Sequence, residues 1–503
     1  MTDFLYNLGM GFGVALSPMN LAMCFVGALM GTLVGVLPGV GTVATVAMLL
    51  PLTFGMPPET ALIMLAGIYY GAQYGGSTTS ILVNIPGEAS SIVTALDGFK
   101  MAQKGQAGKA LAVAAIGSFF AGCVSTLLVS ILGEPLTSVA LAFGAVEYFS
   151  LMVLGLILAV VLARGSVFRA LAMVALGLLL AMIGSDMETG AQRLTLGMPE
   201  LSDGLDFSVV AMGLFGFAEI FRNLEGSSVD RSVLTQKIQG LMPTWQDFKN
   251  CFFPVLRGTG LGSILGILPG GGATISSFAA YTLEKKISRN RAQFGKGAIE
   301  GVAAPESANN AAAQTSFIPL LTLGLPSNAV MALMIGAMMI QGIVPGPQVM
   351  EKQPALVWGL IASMWIGNLM LLVINLPLVG MWVKLLRVPY RLLFPAIIVF
   401  CSIGMYSINN SAFDVILAGG FGVVGYVLIK LDFEPAPLIL GMVLGMMVEE
   451  NLRRALIISR GDTSVFFTST LSIVLLTISA ALLILSVMPA IRGKRDEVFV
   501  EED

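Results

Sequence analysis

GALMGTLVGVLPGVGT, residues Gly27 to Thr42, returns as GTGLGSILGILPGGGA, residues Gly258 to Ala273. Pro38 and Pro269 stand 231 residues apart, and Gly27/Gly258, Gly31/Gly262, Gly35/Gly266, Gly39/Gly270 and Gly41/Gly272 keep the same offset. In each copy an apolar helix with glycine at every fourth position runs into Leu-Pro-Gly-x-Gly. Proline lacks an N–H and clashes with the turn before it, and glycine accepts the backbone angles that end a helix. Each copy therefore reads as a helix stopped inside hydrophobic sequence. Broken helices at matching positions of two halves are a pointer to a transporter's binding site.

Composition agrees with a membrane setting. The 503 residues are 56% hydrophobic and 11% charged, with a mean hydropathy of +0.87, whereas soluble domains carry about 25% charged residues. The apolar runs are far longer than the about 9–11 residues of a barrel strand, so the expected fold is all-α and polytopic. The net charge of −3 offers no basic patch for nucleic acid. The absence of histidine excludes His-ligated metal, His-based triads and a His proton relay. Cys24, Cys123, Cys251 and Cys401 stand alone, without a C-x-x-C pair, and read as buried small side chains. MTDFLYNLGMG lacks a positive n-region, which argues against a cleaved signal peptide.

Charges mark the boundaries. None falls between Phe4 and Pro58, room for two passes with the break at Pro38-Gly39, and Thr60–Gly87 is also charge-free. Spans are expected at Ala110–Leu132, Tyr148–Ala163 and Ala170–Gly184, then a polar loop at Ser185–Asp206 and a short apolar segment at Phe207–Phe221. The hydrophilic connection Arg222–Lys249 divides the chain into residues 1–221 and 250–491, before a polar tail, 492–503. In the second half Gly258–Leu283 is charge-free. Ser307–Met350 is interrupted by SANNAAAQTS and LGLPSN, and further spans follow at Ala355–Val383, Leu392–Asn409, Ala412–Ile429, Ala436–Val448 and Val465–Ile491. About 11–13 hydrophobic elements result, several of them broken or re-entrant.

Loop charge inverts between the halves. After the first broken helix, Gly55–Glu59 has no positive charge while Asp97–Lys109 has three. After the second, Lys285–Lys296 holds five and the later connection QGIVPGPQVMEKQP holds only Lys352. Swapped polarity at matching positions is what an inverted-topology repeat requires. Asp97–Lys109, Arg164–Arg169, Arg222–Lys249 and Lys285–Lys296 are accordingly placed in the cytoplasm. The C-terminal third, with Arg453, Arg454 and Arg460, stays ambiguous.

The polar motifs inside apolar sequence are the candidate site. Pro38, Gly39, Gly41 and Thr42, with Pro269, Gly270, Gly271, Gly272 and Thr274 (Ser276 nearby), form two chain reversals whose free amides open the next half-helix, a place that attracts anions. The alternative is a plain helix kink. A dinucleotide-type G-x-G-x-x-A turn is rejected, because the strand and βαβ unit it needs are absent. Gly75, Gly76, Ser77, Thr78 and Thr79 pack hydroxyls densely, and their partners in the second half are Thr315, Ser316, Pro326 and Ser327. Pro86 and Pro326 lie 240 apart, close to the 231 offset after a loop insertion. Polar groups in hydrocarbon are costly unless paired, so a ligand site competes here with packing. Hydroxyls and N–H groups suit a carboxylated substrate, and the oxygens of Ser80, Asn84, Glu306, Asn309, Asn310 and Gln314 suit a sodium ion. Glu306 is the best-placed carboxylate for cation coordination or proton linkage, against the alternative of a membrane-edge acid that meets water. Glu147, Glu219 and Asp414 also border or interrupt apolar sequence. The glycine stripes read as close helix packing. No G-x-x-x-x-G-K-[ST] occurs, so gradient coupling is the energy source expected.

The chain resembles the large membrane subunit of the tripartite tricarboxylate transporters, the TctA family. The similar segments are GVLPGVGTVATVAMLLPLTFGM (Gly35–Met56), IYYGAQYGGSTTSILVNIPGEASSIVTALDGFKMAQKGQAGKAL (Ile68–Leu111), and GILPGGGATISSFAAY with GVAAPESANNAAAQTSFIPLLTLGLPSNAVMALMIGA (Gly266–Ala337). The likeness covers roughly residues 15 to 470. It implies a bacterial inner-membrane permease, not an enzyme, that needs no cofactor. It also implies a small membrane subunit (TctB-like), a periplasmic solute-binding protein (TctC-like) and sodium-driven uptake of citrate-like or other carboxylated solutes. Two further classes remain in view: an intramembrane enzyme or lipid-handling protein using the hydroxyl-rich motif, and an ion channel. Against the first, no Ser–Lys or paired-Asp constellation lies in the apolar cores. Against the second, midplane breaks in repeated halves favour a carrier over a pore.

Overall fold

The computed structural model describes residues 2–37, 41–163, 165–186, 188–225, 240–268, 272–385 and 390–487. Both breaks, Pro38-Gly39-Val40 and Pro269-Gly270-Gly271, lie outside the described residues, as do 226–239 of the hydrophilic connection and the C-terminal tail. The fold is all-α and polytopic. Among the described residues the only strand pair is Gly184–Ser185 with Gln192–Arg193, inside the expected polar loop.

The first half runs α1 (Thr2–Ala15), α2 (Pro18–Val36), α3 (Thr42–Leu49), α4 (Pro58–Val83), α5 (Ile92–Gln103), α6 (Ala107–Leu141), α7 (Ala145–Leu162) and α8 (Val167–Ala181). α9 (Phe207–Ala211), a π-helical stretch at Met212–Phe217 and α10 (Ala218–Glu225) then follow end to end. The second half opens with α11 (Trp245–Ile267), α12 (Gly272–Ile287), α13 (Glu300–Thr315), α14 (Phe317–Leu323) and α15 (Ala329–Ile340). It continues with α16 (Gln348–Lys352), α17 (Pro354–Asn375), α18 (Val379–Leu385), α19 (Tyr390–Asn409), α20 (Ala412–Lys430), α21 (Ala436–Ile458) and α22 (Thr470–Val487). Six of the described helical segments are long and apolar enough to cross a bilayer, and five shorter apolar ones accompany them.

Glycine sets how the core helices approach. A Cβ on Gly27, Gly31 or Gly35 of α2 would collide with the carbonyl of Met64, Ile68 or Ala72 on α4. In the second half, Gly258, Gly262 and Gly266 of α11 meet Ala304, Ala308 and Ala312 of α13 in the same way. The partners Met64/Ala304, Ile68/Ala308 and Ala72/Ala312 stand 240 apart, the offset already seen between Pro86 and Pro326. The nine-residue difference from 231 falls between Gly41/Gly272 and Met64/Ala304, the stretch that holds α3 in one half and the longer α12 in the other. Close backbone contact through small residues is how helices associate without a hydrophobic driving force.

The outer helices repeat a crossing as well. Gly441 of α21 lies under the Val174 carbonyl of α8, and Gly213 of the π-helical stretch lies under the Ala418 carbonyl of α20. One apolar cluster joins α2 to α6 with α13 to α17, and a second joins α7, α8, α21 and α22. Only 17% of the most apolar window of α20, and of α22, is buried, the lowest share among the six long apolar helices described.

Three expectations change. SANNAAAQTS does not break the helix: α13 runs through Thr315, with part of its polar side chains satisfied by neighbouring hydroxyls, amides and backbone. The segment Ala436–Val448 is no short element: α21 continues to Ile458, because the charged residues that seemed to end it pair off, Arg453 with Asp186 and Glu449, and Arg454 with Glu450. Finally, α6 extends past Leu132 to Leu141, carrying Glu134 at an exposed position where it accepts from Asn7 at 2.8 Å.

Candidate functional site

Two polar helix segments face each other where the halves meet. Glu306 is wholly buried on α13, so the alternative of a membrane-edge carboxylate does not hold. Its carboxylate accepts from Ser77 of α4, from Thr94 of α5, and from Asn309 Nδ2 at 3.2 Å. Two of these donors belong to the first half, so one acid ties the halves together. Among the described residues no Lys or Arg pairs with it. One turn on, Asn310 Nδ2 donates to Ser118 Oγ of α6 at 2.8 Å and to the Glu306 carbonyl at 3.0 Å. Asn310 Oδ1 and both polar atoms of Gln314 are buried with no hydrogen-bond partner. Buried polar atoms are nearly always satisfied, so orphans of this kind point to a missing ligand, ion or water. Other orphans among the described residues, such as Tyr70 Oη, lie outside this row.

The broken-helix ends are held from α4 and the segment after it. Thr79 Oγ1 donates to the Val36 carbonyl at 2.8 Å and to that of Gly35 at 3.3 Å, capping the free end of α2. Ser80 bonds Ser91, and Ser90 bonds Gln73. At the start of α3 the Thr42 N–H donates to Glu88 Oε1 at 2.6 Å, and the Thr42 hydroxyl donates to the same oxygen. In the second half Gly272 opens α12, Thr274 accepts from Ser277 at its carbonyl, and Ser276 bonds the Gly272 carbonyl. Asn328 sits beside that start, its Cβ 3.7 Å from where a Cβ on Gly272 would stand.

The remaining sequence-selected residues fall as follows. Gly75 packs on the Thr32 carbonyl and Gly76 on Glu88. Thr78 is buried on α4. Thr315 and Ser316 bond carbonyls of their own helix, Ala311 at 3.1 Å and Ala313 at 2.7 Å. Pro326 is buried and Ser327 Oγ is another buried orphan. Gly41 directly precedes α3. Asn84 is exposed and ends α4 in the left-handed region at φ 59°. Pro38, Gly39, Pro269, Gly270 and Gly271 lie outside the described residues. Glu306, Asn309, Asn310 and Ser77 thus come together directly, with Gln314 one turn further along α13.

Sequence reasoning missed Glu88, Thr94 and Ser118. Ser118 is a lone hydroxyl in apolar sequence, and Thr94 lies beyond the Ser77–Ser80 run, after Ser90 and Ser91. Glu88 had a signal: it follows Ile-Pro-Gly where Asn328 follows Leu-Pro-Ser, at the 240 offset. A separate apolar cleft of about 220 Å³, lined by α6 and the start of α11 (Phe120, Phe248, Phe252), has no polar group suited to a carboxylate.

The family model described as "Tripartite tricarboxylate transporter TctA family" matches residues 21–440. A protein of Agrobacterium vitis, described as an uncharacterized 52.8 kDa protein in the TAR-I ttuC' 3' region, is 60% identical over 503 residues, the whole of both chains. A second from the same organism, described as an uncharacterized protein in the TAR-II ttuC' 3' region, is 63% identical over 242 residues, 48% of this chain and all of its own. No solved structure matches.

Proposed function

The chain belongs to the tripartite tricarboxylate transporter TctA family, and from that premise we infer that it imports a carboxylated organic anion across the bacterial inner membrane. It is the large membrane subunit, working with a small membrane subunit and a periplasmic binding protein that delivers the solute. Transport is secondary-active, with sodium as the coupling ion.

The observation that carries this reading is Glu306. A carboxylate buried in hydrocarbon without a basic partner calls for a cation or a proton. Its oxygens, with Ser77, Thr94, Asn309 and the orphaned Asn310 Oδ1, form a hard-oxygen environment of the kind sodium prefers. Because the donors come from both halves, an ion there would change how the halves hold together, which is what coupling requires.

The inverted-repeat reading has its own support. The glycine-packed pairs α2/α4 and α11/α13 share one offset. Loops also meet in mirrored fashion. Gln341 Nε2 reaches the Thr53 carbonyl at 2.8 Å near the uncharged loop of the first half. Asp97 accepts from the Gly297 and Ala298 N–H groups at 2.7 and 2.8 Å near the basic loop of the second. Contacts Lys109–Asp247, Arg169–Asp432 and Glu225–Lys430 join the other basic connections, consistent with a common cytoplasmic side.

Uptake of labelled citrate and a panel of other carboxylates, in cells expressing all three subunits, tests the reading. Uptake of at least one carboxylate that needs the partners and falls when potassium replaces sodium is expected. No uptake of any carboxylate under any cation or proton gradient would sink it. Uptake that persists in potassium but follows an imposed pH gradient would assign the same carboxylate, Glu306, to a proton.

A further inference from the structure

Asp97 of α5 is a buried carboxylate outside the Glu306 cluster. Its Oδ1 accepts from the Gly297 and Ala298 N–H groups at 2.7 and 2.8 Å, and its Oδ2 accepts from Tyr281 Oη of α12 at 3.0 Å. Among the described residues no Lys or Arg pairs with it. Gly301 of α13 leaves the room: a Cβ there would lie 2.2 Å from Asp97 Oδ2. Lys104, just past the end of α5, donates to the Lys296 carbonyl. α5 belongs to the first half, and every one of these partners belongs to the second. Asp97 is therefore a clasp that holds the end of the basic loop and the start of α13 against the first half.

One turn before Asp97, Thr94 donates to the Glu306 carboxylate. Residues three apart on a helix are neighbours on its surface, so a single turn of α5 links the buried acid to the clasp. The repeat does not call for these contacts. At the 240 offset the counterpart of α5 is α15, with Met334 in the place of Thr94 and Ala337 in the place of Asp97, and Ala66 of α4 stands in the place of Glu306. All three are buried and apolar. A buried charge is costly to keep, and the matching helix packs without one. The three polar residues occur in one copy only, and they touch or adjoin one another there.

Resting on the transport reading, we propose that α5 is a coupling lever: the charge state of Glu306, read through Thr94, sets how firmly Asp97 clasps the basic-loop side. A hydrogen bond to an ionised carboxylate is roughly twice as strong as one to a neutral acceptor. With Glu306 bare, Thr94 is drawn in and α5 holds the clasp closed. A cation or proton on Glu306 neutralises that pull, loosens Thr94 and weakens the clasp one turn away. The loaded protein is then the one that can part on the basic-loop side. Thr94 and Asp97 are positioning residues in this scheme, and neither needs to touch the substrate.

Hydrogen exchange read by mass spectrometry, on the full-length protein in nanodiscs, reports the clasp at the Gly297 and Ala298 amides. The Glu188 and Thr189 amides, which donate to Asp186 at 3.0 and 2.9 Å, are the control: the same kind of bond on another carboxylate. Glu306→Gln fixes the neutral state whatever the coupling ion is. It should speed exchange at Gly297 and Ala298 severalfold and leave the control amides as in wild type. Thr94→Val should do the same, and the double variant should be no faster than either single one, because both changes remove one link. Asp97→Asn weakens the clasp itself and should exchange fastest. Exchange at Gly297 and Ala298 unchanged in Glu306→Gln overturns the proposal, as does equal acceleration of the control amides or additive effects in the double variant. Thr94→Val without faster exchange overturns it as well, so the test does not depend on Glu306→Gln folding. Carboxylate uptake by the three-subunit system is read separately. If uptake is intact and these amides do not respond, this proposal fails and the transport reading stands. If they respond and no carboxylate is taken up, the lever stands and the transport reading fails.

Discussion

Ser77 lends its hydroxyl to Glu306 across the boundary between the halves. A hydrogen bond to a charged group is worth about 1.5–3 kcal/mol, so Ser77→Ala should weaken sodium-dependent uptake by about tenfold or more. Kinetics unchanged from wild type would remove Ser77 from the site. The Ser77–Ser80 run and Glu306 were legible because dense polarity in apolar sequence is rare and costly. Thr94 and Ser118 were not, since a single helical hydroxyl most often bonds its own backbone, as those of Thr126 and Ser150 do here. Outside the membrane, Arg453 beside Asp186, together with the Thr189 and Glu188 amides, holds that carboxyl well below the usual range. A depressed carboxyl stabilises the fold above its unfolded value, about pH 4, and loses that contribution only as pH falls through the lower folded value. Arg453→Gln should therefore bring acid unfolding to higher pH, read by thermal unfolding from neutral down to about pH 2, below the unfolded carboxyl value. An acid limb identical to wild type would show that the pair contributes nothing.

At the scale of elements, the glycine stripes carry the helix packing. Gly31→Ala puts a methyl against the Ile68 carbonyl, and Gly262→Ala does the same at Ala308. Each should cost about 1–3 kcal/mol of stability, seen as a lower unfolding temperature in detergent, while Gly419→Ala, with open space around it, should change little. Equal effects at all three positions would refute the packing argument. The stripes and breaks were readable because proline and glycine act locally. The helicity of α13 was not, because Asn309, Asn310 and Gln314 look like a loop until partners from other helices satisfy part of them. The π-helical stretch Met212–Phe217 left no sequence signal either: it is seated by contacts with α20 and with Met48 of α3.

At the scale of the whole molecule, the proposed inverted repeat requires the basic and neutral loops to lie on opposite sides of the membrane. With the native cysteines replaced, Gly55→Cys should react with an impermeant thiol reagent from the periplasm, and Gln293→Cys, exposed on the basic loop, only from the cytoplasm. Labelling of both from one side would exclude the inverted repeat. A cation at Glu306 and the carboxylate substrate, as proposed above, bind interdependently between the halves. By linkage each must raise the other's affinity by the same factor. Equilibrium binding of the transported carboxylate to the purified protein, in sodium and then in potassium at equal ionic strength, tests this most directly. Tighter binding in sodium for wild type, with that difference abolished in Glu306→Gln, is the predicted result. Equal affinity in both salts for wild type, or a sodium effect that survives Glu306→Gln, would contradict it.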